Sequence, residues 1–433
     1  MEISTPLKIC LLSYRSNPHC GGQGVYIRNL SKALIDLGHA VEVVAGPPDP
    51  ILDKDVTLSM LDCLNLYDPT HNSGVSLFEK LKNPINLIEW LSAATQGYPE
   101  PFTFGLRAYQ YLNHRLKNYD IIHDNQSLSY GILALSHRIP TVATIHHPMT
   151  VDRRIAMKSV RSFSKKIQYM RWFSFITMQK RVARRLPKII TVSDFSKKDI
   201  AREYTIPESR FSVVHNGIST STFHPVPEIK REPDRIIVTN SSDSPLKGLY
   251  YLVQAIHIIS KQKHVRLTVI GTPKKNGGIV KLIETLGIGH LIDFTGRISN
   301  DEFLRQYARS SIAIIPSVYE GFGLPVGEAM ACGIPVISTS GGALPEIAGD
   351  AALMVPPENP VALAKAILNL LNDPERAERL GLAGYKRVME KFTWKAAAEK
   401  TVDAYLDTIH RYDAQKTIER KTRPVIFPTM QEA

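Results

Sequence analysis

Long hydrophobic runs are missing from this chain. No apolar stretch approaches the ~18 residues that a membrane-spanning helix needs. The apolar segment Lys8-Ile9-Cys10-Leu11-Leu12 is too short for a signal peptide and no cleavage pattern follows it. The expectation is therefore a cytoplasmic protein. Cysteine is scarce as well: Cys10, Cys20, Cys63 and Cys332 are the only four, without metal-like or disulfide-like spacing, and read as reduced structural thiols. Acid is absent from one long stretch. Between Arg153 and Lys188 there are twelve Lys or Arg and no Asp or Glu, a charge equal to the whole-chain excess of +12. The basicity is thus local, which points to an anionic surface or ligand nearby.

What is present fits a globular enzyme: 433 residues, 43% hydrophobic and 22% charged. That length suits two domains of about 200 residues each. Strand-like runs at 7–13, 40–45, 120–123, 140–146, 188–193 and 210–215 alternate with helical patterns. In the first of these patterns Ile27, Leu30, Leu34 and Leu37 step by three or four and Gly38 supplies a stop. The rhythm fails from about 49 to 116, read as a helical insertion. A polar stretch at 219–235, with Pro225, Pro227 and Pro233, reads as a linker. Alternation then restarts with strands at 235–239, 265–270, 291–295, 312–316 and 334–338. The expected fold class is α/β: an N-terminal doubly wound domain over 1–218 and a second over 236–393, facing each other across a cleft. A helix over 394–410 and a poorly ordered tail over 411–433 complete the chain.

The segment Ser317-Val318-Tyr319-Glu320-Gly321-Phe322-Gly323-Leu324-Pro325-Val326-Gly327-Glu328 follows an apolar strand. Pro325 suits the first turn of a helix and Gly333 its stop. Glu320 then lies in the loop before the helix and Glu328 one turn inside it. Glycine lets backbone N–H groups approach a ligand, and a helix N-terminus stabilises a diphosphate. A carboxylate one turn further in can accept hydrogen bonds from both hydroxyls of a ribose. An ordinary capped helix would not require two glutamates and three glycines at one junction.

This segment resembles the Glu-x7-Glu signature of the retaining glycosyltransferases of family 4, which have the GT-B architecture. Gly333-Ile334-Pro335-Val336-Ile337, Gly341-Gly342-Ala343-Leu344-Pro345-Glu346, Gly21-Gly22-Gln23-Gly24, Asp120-Ile121-Ile122-His123, His215-Asn216-Gly217-Ile218 and Lys247-Gly248 appear in the family's order. In GT-B proteins the last helix returns to the N-terminal domain. The resemblance implies transfer of a sugar from a nucleoside-diphosphate donor to an acceptor it does not name. It implies Glu328 as the ribose ligand, Glu320 set against the donor sugar, and Lys247 on the departing diphosphate. Gly321, Phe322, Gly323 and Leu324 would offer backbone contacts, and Gly22 and Gly24 would close over the phosphates. His146 would contact the donor sugar from the opposite domain, and Arg297 and Ile298 would lie beside the base. No obligatory metal and no cofactor are implied. Two positions depart from the pattern: Ser242 stands where many members carry an arginine beside the lysine, and Asn125 where a second histidine is common.

Alternatives are a sugar-nucleotide epimerase on the same architecture and a degenerate transferase that only binds a sugar or nucleotide. For the basic stretch 153–188, a long helix with a solvated face, on which Met178, Val182 and Leu186 step toward a buried side, stands level with a peripheral membrane contact at the inner face. Trp172, Phe173 and Phe175 among the arginines would be the anchors of that contact. Nucleic acid is set aside because no binding module accompanies the charge.

Overall fold

The computed structural model describes residues 5–17, 22–66, 77–239 and 244–422. Two parallel sheets organise the chain. The first contains β1 (Lys8–Ser13), β2 (Ala40–Ala45), β3 (Thr57–Met60), β4 (Ile121–Asn125), β5 (Thr141–Ile145), β6 (Ile189–Thr191) and β7 (Phe211–Val213), in the order β3-β2-β1-β4-β5-β6-β7. The second contains β8 (Glu232–Thr239), β9 (Arg266–Ile270), β10 (Ile292–Phe294), β11 (Ser310–Ile315), β12 (Val336–Thr339) and β13 (Leu353–Val355), in the order β10-β9-β8-β11-β12-β13. In each sheet the order reverses beside its first strand, and such a switch point opens a crevice at the strands' C-terminal ends.

Both faces of each sheet are covered, and for that reason the central strands are continuously apolar rather than alternating. In β1, Ile9 and Leu11 pack with the helix Gly22–Asp36, while Cys10 and Leu12 pack under the helix Glu100–Leu112 on the other face. In β11, Ile312 and Ile314 enter one cluster and Ala313 and Ile315 the opposite one.

Several expectations are corrected. The insertion is not wholly helical: it begins with β3, which pairs in parallel with β2, and continues through the helices Leu77–Lys80, Pro84–Ala94 and Glu100–Leu112. The linker is shorter than expected, since β8 already starts at Glu232. The final helix runs Trp394–Thr422 rather than stopping near 410. It crosses back onto the N-terminal domain, burying Ala398, Val402 and Tyr405 against Tyr26 and Leu30, and Lys188 Nζ holds Asp407 at 2.9 Å. Past that contact, local pairs such as Arg411–Asp407 and Thr417 Oγ1 on the Asp413 carbonyl continue the helix, so residues 411–422 are not a loose tail.

The basic stretch is also not one long helix. It is divided into Met149–Lys158, Phe163–Trp172, a single 3₁₀ turn at Phe173–Phe175 and Ile176–Ala183. Met178, Val182 and Leu186 are buried as their spacing suggests. Trp172, Phe173 and Phe175, however, pack inward with Tyr98, and Trp172 stacks on Tyr98 at 4.9 Å between ring centroids. They are not available as membrane anchors. Among the described residues no helix is long and apolar enough to cross a membrane.

Candidate active site

The C-terminal domain contributes a carboxylate–ammonium pair at the mouth of its sheet. Leaving β11, the chain turns through Pro316 and Ser317 to Glu320, whose Oε1 accepts from Lys247 Nζ at 2.7 Å and from Ser317 Oγ at 2.9 Å. Lys247 ends the turn Pro245–Lys247 that follows the neighbouring strand β8, and the Val318 N–H donates to the Leu246 carbonyl at 2.8 Å, tying the two loops together. Glu320 and Lys247 are thus 73 residues apart in sequence but fixed by adjacent strand ends.

Behind this pair the helix Leu324–Ala331 begins at Gly323, which adopts a φ of +99°. That positive φ calls for glycine, and a Cβ there would also press on the Leu344 side chain, 2.6 Å from its Cδ2. Glu328 sits in the second turn, and among the described residues nothing donates a hydrogen bond to its carboxyl group. Burial pushes its pKa up to about 7, with the charge of Lys247 drawing it part of the way back. The Phe322 ring is buried against His215 and Phe392, so what it leaves toward the cleft is backbone.

The N-terminal domain answers from the end of β5. His146 Nε2 and Asn125 Oδ1 are 2.8 Å apart, and Asn125 Nδ2 donates to Ser13 Oγ at 3.2 Å. Since that amide oxygen accepts, Nε2 carries the ring proton. Burial, helped by the nearby His147 and His123, depresses the His146 pKa to about 3, so the ring is neutral. Asn125, a departure from the family pattern, is therefore the residue that orients His146. His123 is structural, held between the Tyr405 hydroxyl and Thr144 Oγ1, each at 2.6 Å.

The domains touch directly. A Cβ at Gly321 would lie 2.5 Å from the His146 carbonyl oxygen, so the loop of Glu320 abuts the end of β5. Ser193 Oγ and Ser196 Oγ both donate to the Gly321 carbonyl, at 2.7 and 2.8 Å, and Tyr319 OH donates to Asp199 Oδ2 at 2.8 Å. Glu346 accepts from the backbone N–H groups of Asp194 and Phe195, at 2.9 and 3.1 Å, and pairs with His215 Nε2 at 2.7 Å. His147 faces the same space: burial disfavours its charged form, but Asp152, 2.8 Å from Nε2, outweighs that and raises its pKa, and Glu320 adds to the rise.

Of the residues singled out in sequence, Lys247, Glu320, Gly321, Gly323, Glu328 and His146 thus lie along one seam. Leu324 joins them, as its Cδ1 would be 3.7 Å from a Cβ at Gly22. Gly22 and Gly24 lie in the first turn of the helix Gly22–Asp36, whose N-terminus faces the other domain. Arg297 and Ile298 follow β10 at the sheet's edge. Arg297 is exposed and Ile298 packs on the hydrophobic cluster under the glutamate helix, and among the described residues neither shares a hydrogen bond or ion pair with Glu320 or Lys247. Ser242 lies outside the described residues. Sequence reasoning missed the seam residues Ser193, Ser196 and Asp199, and it singled out His147 beside His146 but not its partner Asp152. Only Ser193 carried a signal, as the cap before the helix Asp194–Tyr204.

The chain matches two family profiles: "Glycosyltransferase Family 4" over residues 20–222 and "Glycosyl transferases group 1" over residues 221–387. It is 40% identical over 413 residues to an MMP α-(1→4)-mannosyltransferase of Mycolicibacterium hassiacum, covering 94% of this chain and 100% of the relative. A D-inositol 3-phosphate glycosyltransferase of Streptomyces bingchenggensis is 26% identical, over 95% of this chain and 92% of its own length. The fold matches sucrose-phosphate synthase of Thermosynechococcus elongatus with a TM-score of 0.71 at 22% identity, over 93% of this chain and 100% of the other. It also matches Anabaena Alr3699/HepE, solved in complex with UDP and glucose, with a TM-score of 0.67 at 16% identity, over 93% of this chain and 100% of the other. The chain belongs to the family 4 glycosyltransferases of GT-B architecture.

Proposed function

We propose that this glycosyltransferase moves an α-mannosyl residue, with retention, from a nucleoside-diphosphate mannose to a saccharide hydroxyl. The mannosyl choice rests on the 40%-identical relative, whose name specifies α-(1→4) mannosyl transfer. The chemistry rests on one observation: Lys247 and Glu320 form an ion pair directly in front of a helix N-terminus that holds Glu328.

In this reading Glu328 accepts from the ribose hydroxyls. The N–H groups of Gly321, Phe322, Gly323 and Leu324, together with the helix start, receive sugar and diphosphate oxygens. Gly22 and Gly24 approach the phosphates from the other domain, and Ser242 adds a hydroxyl without charge. Arg297 and Ile298 flank the base. The bond from the sugar's anomeric carbon to the diphosphate oxygen breaks, and Lys247 neutralises the charge that gathers on that oxygen. Glu320 and neutral His146 grip the sugar from opposite domains. The acceptor hydroxyl bonds to the anomeric carbon on the face the diphosphate leaves, and its proton passes to the leaving phosphate. No metal has a part in this scheme, and it is compatible with a cytoplasmic site of action.

The test is transfer from GDP-, UDP-, ADP- and dTDP-linked mannose and glucose to manno-oligosaccharides, without metal, alongside nucleotide-dependent thermal shifts. One nucleotide at one hundred times its Kd should stabilise the fold by about 2.7 kcal/mol. Glu320→Gln should keep that shift while losing roughly 10²–10³ in turnover, and Lys247→Ala should weaken both. Transfer by Glu320→Gln at the wild-type rate would remove the catalytic assignment. A nucleotide shift without transfer to any acceptor would favour a protein that only binds.

A further inference from the structure

Two helices of the N-terminal domain that the proposed reaction leaves unused expose apolar side chains. Helix Pro84–Ala94 turns Ile85 and Glu89 inward, Glu89 pairing with Arg107. Its outer side presents Leu87, Ile88 and Leu91, with Leu91 49% exposed. Helix Phe163–Trp172 presents Phe163, Ile167 and Met170, which share one side at steps of four and three, and Phe163 is 76% exposed. The helices meet at their C-terminal ends, where Arg171 Nη2 donates to Thr95 Oγ1 at 2.8 Å and Trp172 stacks on Tyr98. Six large apolar side chains on two adjoining helices exceed the scatter of single exposed hydrophobics on an ordinary surface.

The charge around this face is predominantly positive. Helix Phe163–Trp172 contains Lys165, Lys166 and Arg171 and no acid, and Lys158 and Arg161 precede it. Helix Pro84–Ala94 contains a single acid, Glu89, which is buried on Arg107, and Lys80 and Lys82 precede it, with an exposed Glu79 beside them. We infer that this face docks on an anionic lipid surface, with Phe163, Ile167, Met170, Leu87, Ile88 and Leu91 entering the headgroup–acyl boundary and the flanking lysines and arginines meeting the headgroups. That combination of an apolar side with lysine and arginine beside it is what interfacial helices require. A symmetric second copy fits worse, because it would set one basic face against another. The seat of binding also differs from what the sequence suggests: Trp172, Phe173 and Phe175 hold the helices to the protein, and the contact is made by side chains whose exposure only the fold decides.

The face lies close to the reaction in the fold. Helix Met149–Lys158 starts two residues after His147 and packs through Met149 and Ala156 on the cluster of Phe173, Phe175 and Ile176. Docking would therefore hold the His146 side of the cleft near the headgroups.

The experiment is flotation of the full chain with vesicles of phosphatidylcholine alone and of phosphatidylcholine mixed with phosphatidylglycerol. The wild type should float with the mixed vesicles only, and less as salt rises. Phe163→Asp/Ile167→Asp should bind roughly tenfold or more weakly, and Lys165→Glu/Lys166→Glu should lose the preference for the anionic lipid. All four positions are on the surface, and an unchanged melting temperature and unchanged transfer to a soluble acceptor will show that each variant is folded. Wild-type chain remaining in the lipid-free fraction overturns the proposal, as does undiminished flotation of Phe163→Asp/Ile167→Asp. A wild-type dimer that this variant dissociates would assign the face to a second copy and overturn it too. None of these readouts depends on the identity of the donor, so failure here leaves the transfer reading standing.

Discussion

Glu328 carries a testable consequence of its burial. Its pKa, about 7 in the folded chain, stands above the 4.5 of a free glutamate. Keeping it ionised therefore costs folding stability as pH climbs from the ordinary carboxylate range through about 7. Hydroxyls that donate to the carboxylate favour its ionised form. Binding of the nucleotide should thus strengthen as pH rises toward 7, level off above it, and release a proton near neutrality. Calorimetry in buffers of different ionisation enthalpy measures that proton. Glu328→Gln should bind weakly without this component, which also subtracts the titration of the nucleotide's own phosphate. Wild type and variant with the same pH profile would detach Glu328 from the ribose. At this scale the sequence is legible where a motif marks the position: Glu320, Glu328 and Lys247 were all singled out, and the structure sets Lys247 against Glu320. Ser196 could not, because it acts on the Gly321 carbonyl 125 residues away, and a backbone oxygen leaves no mark in sequence. Asn125 read as a missing histidine, whereas it is the partner of the histidine that is present.

The elements were legible in proportion to their burial. Strands such as β1 and β11 are apolar on both faces and stand out without any periodicity. The edge strand β3 does not, because Leu58 and Met60 are largely exposed and its neighbours are polar. β13, three residues long at an edge of the second sheet, is equally quiet. Turns show more in structure than in sequence, and Gly248 is the sharpest case. It carries a φ of +67° between the turn of Lys247 and the helix Leu249–Ser260, and a Cβ there would lie 1.9 Å from the Pro316 carbonyl oxygen. Gly248→Ala must therefore take up left-handed strain of about 1–2 kcal/mol and push the Lys247 turn away from the Glu320 loop. For a domain of this size the melting temperature should fall by at least about 3 °C. Turnover should fall further than the stability loss alone explains, since Lys247 moves with the turn. A melting curve and a kcat measurement on the same preparation check both parts. An alanine variant indistinguishable from wild type would mean that the two loops are not rigidly joined.

At the scale of the whole molecule, the seam between the domains decides whether His146 and Glu320 can act on one sugar. Its strongest polar tie is Glu346, which caps the helix Asp194–Tyr204 from the opposite domain and pairs with His215. Burial works against its charge, but the bonds from His215 and the two backbone N–H groups prevail and hold its pKa below the usual carboxylate value. The tie is therefore fully present at neutral pH and is lost only as pH falls through that depressed value. Removing the carboxylate leaves two helix N-terminal N–H groups and His215 without their acceptor, and charge-assisted bonds of this kind contribute about 1.5–3 kcal/mol each. Two serines on Gly321 and Tyr319 on Asp199 remain across the seam, so Glu346→Ala should loosen the closed arrangement rather than separate the domains. Hydrogen exchange should rise at the amides of Asp194 and Phe195, and scattering should report a larger radius of gyration that donor nucleotide restores. KM for the donor should rise, because binding must now also close the cleft, while kcat at saturation changes little. If exchange at those two amides is unaltered, Glu346 is only one of several equivalent contacts. If kcat falls instead of KM rising, closure is not what Glu346 controls, and its effect must reach the Glu320 loop through the Ala343 N–H, which donates to the Glu320 carbonyl at 2.9 Å.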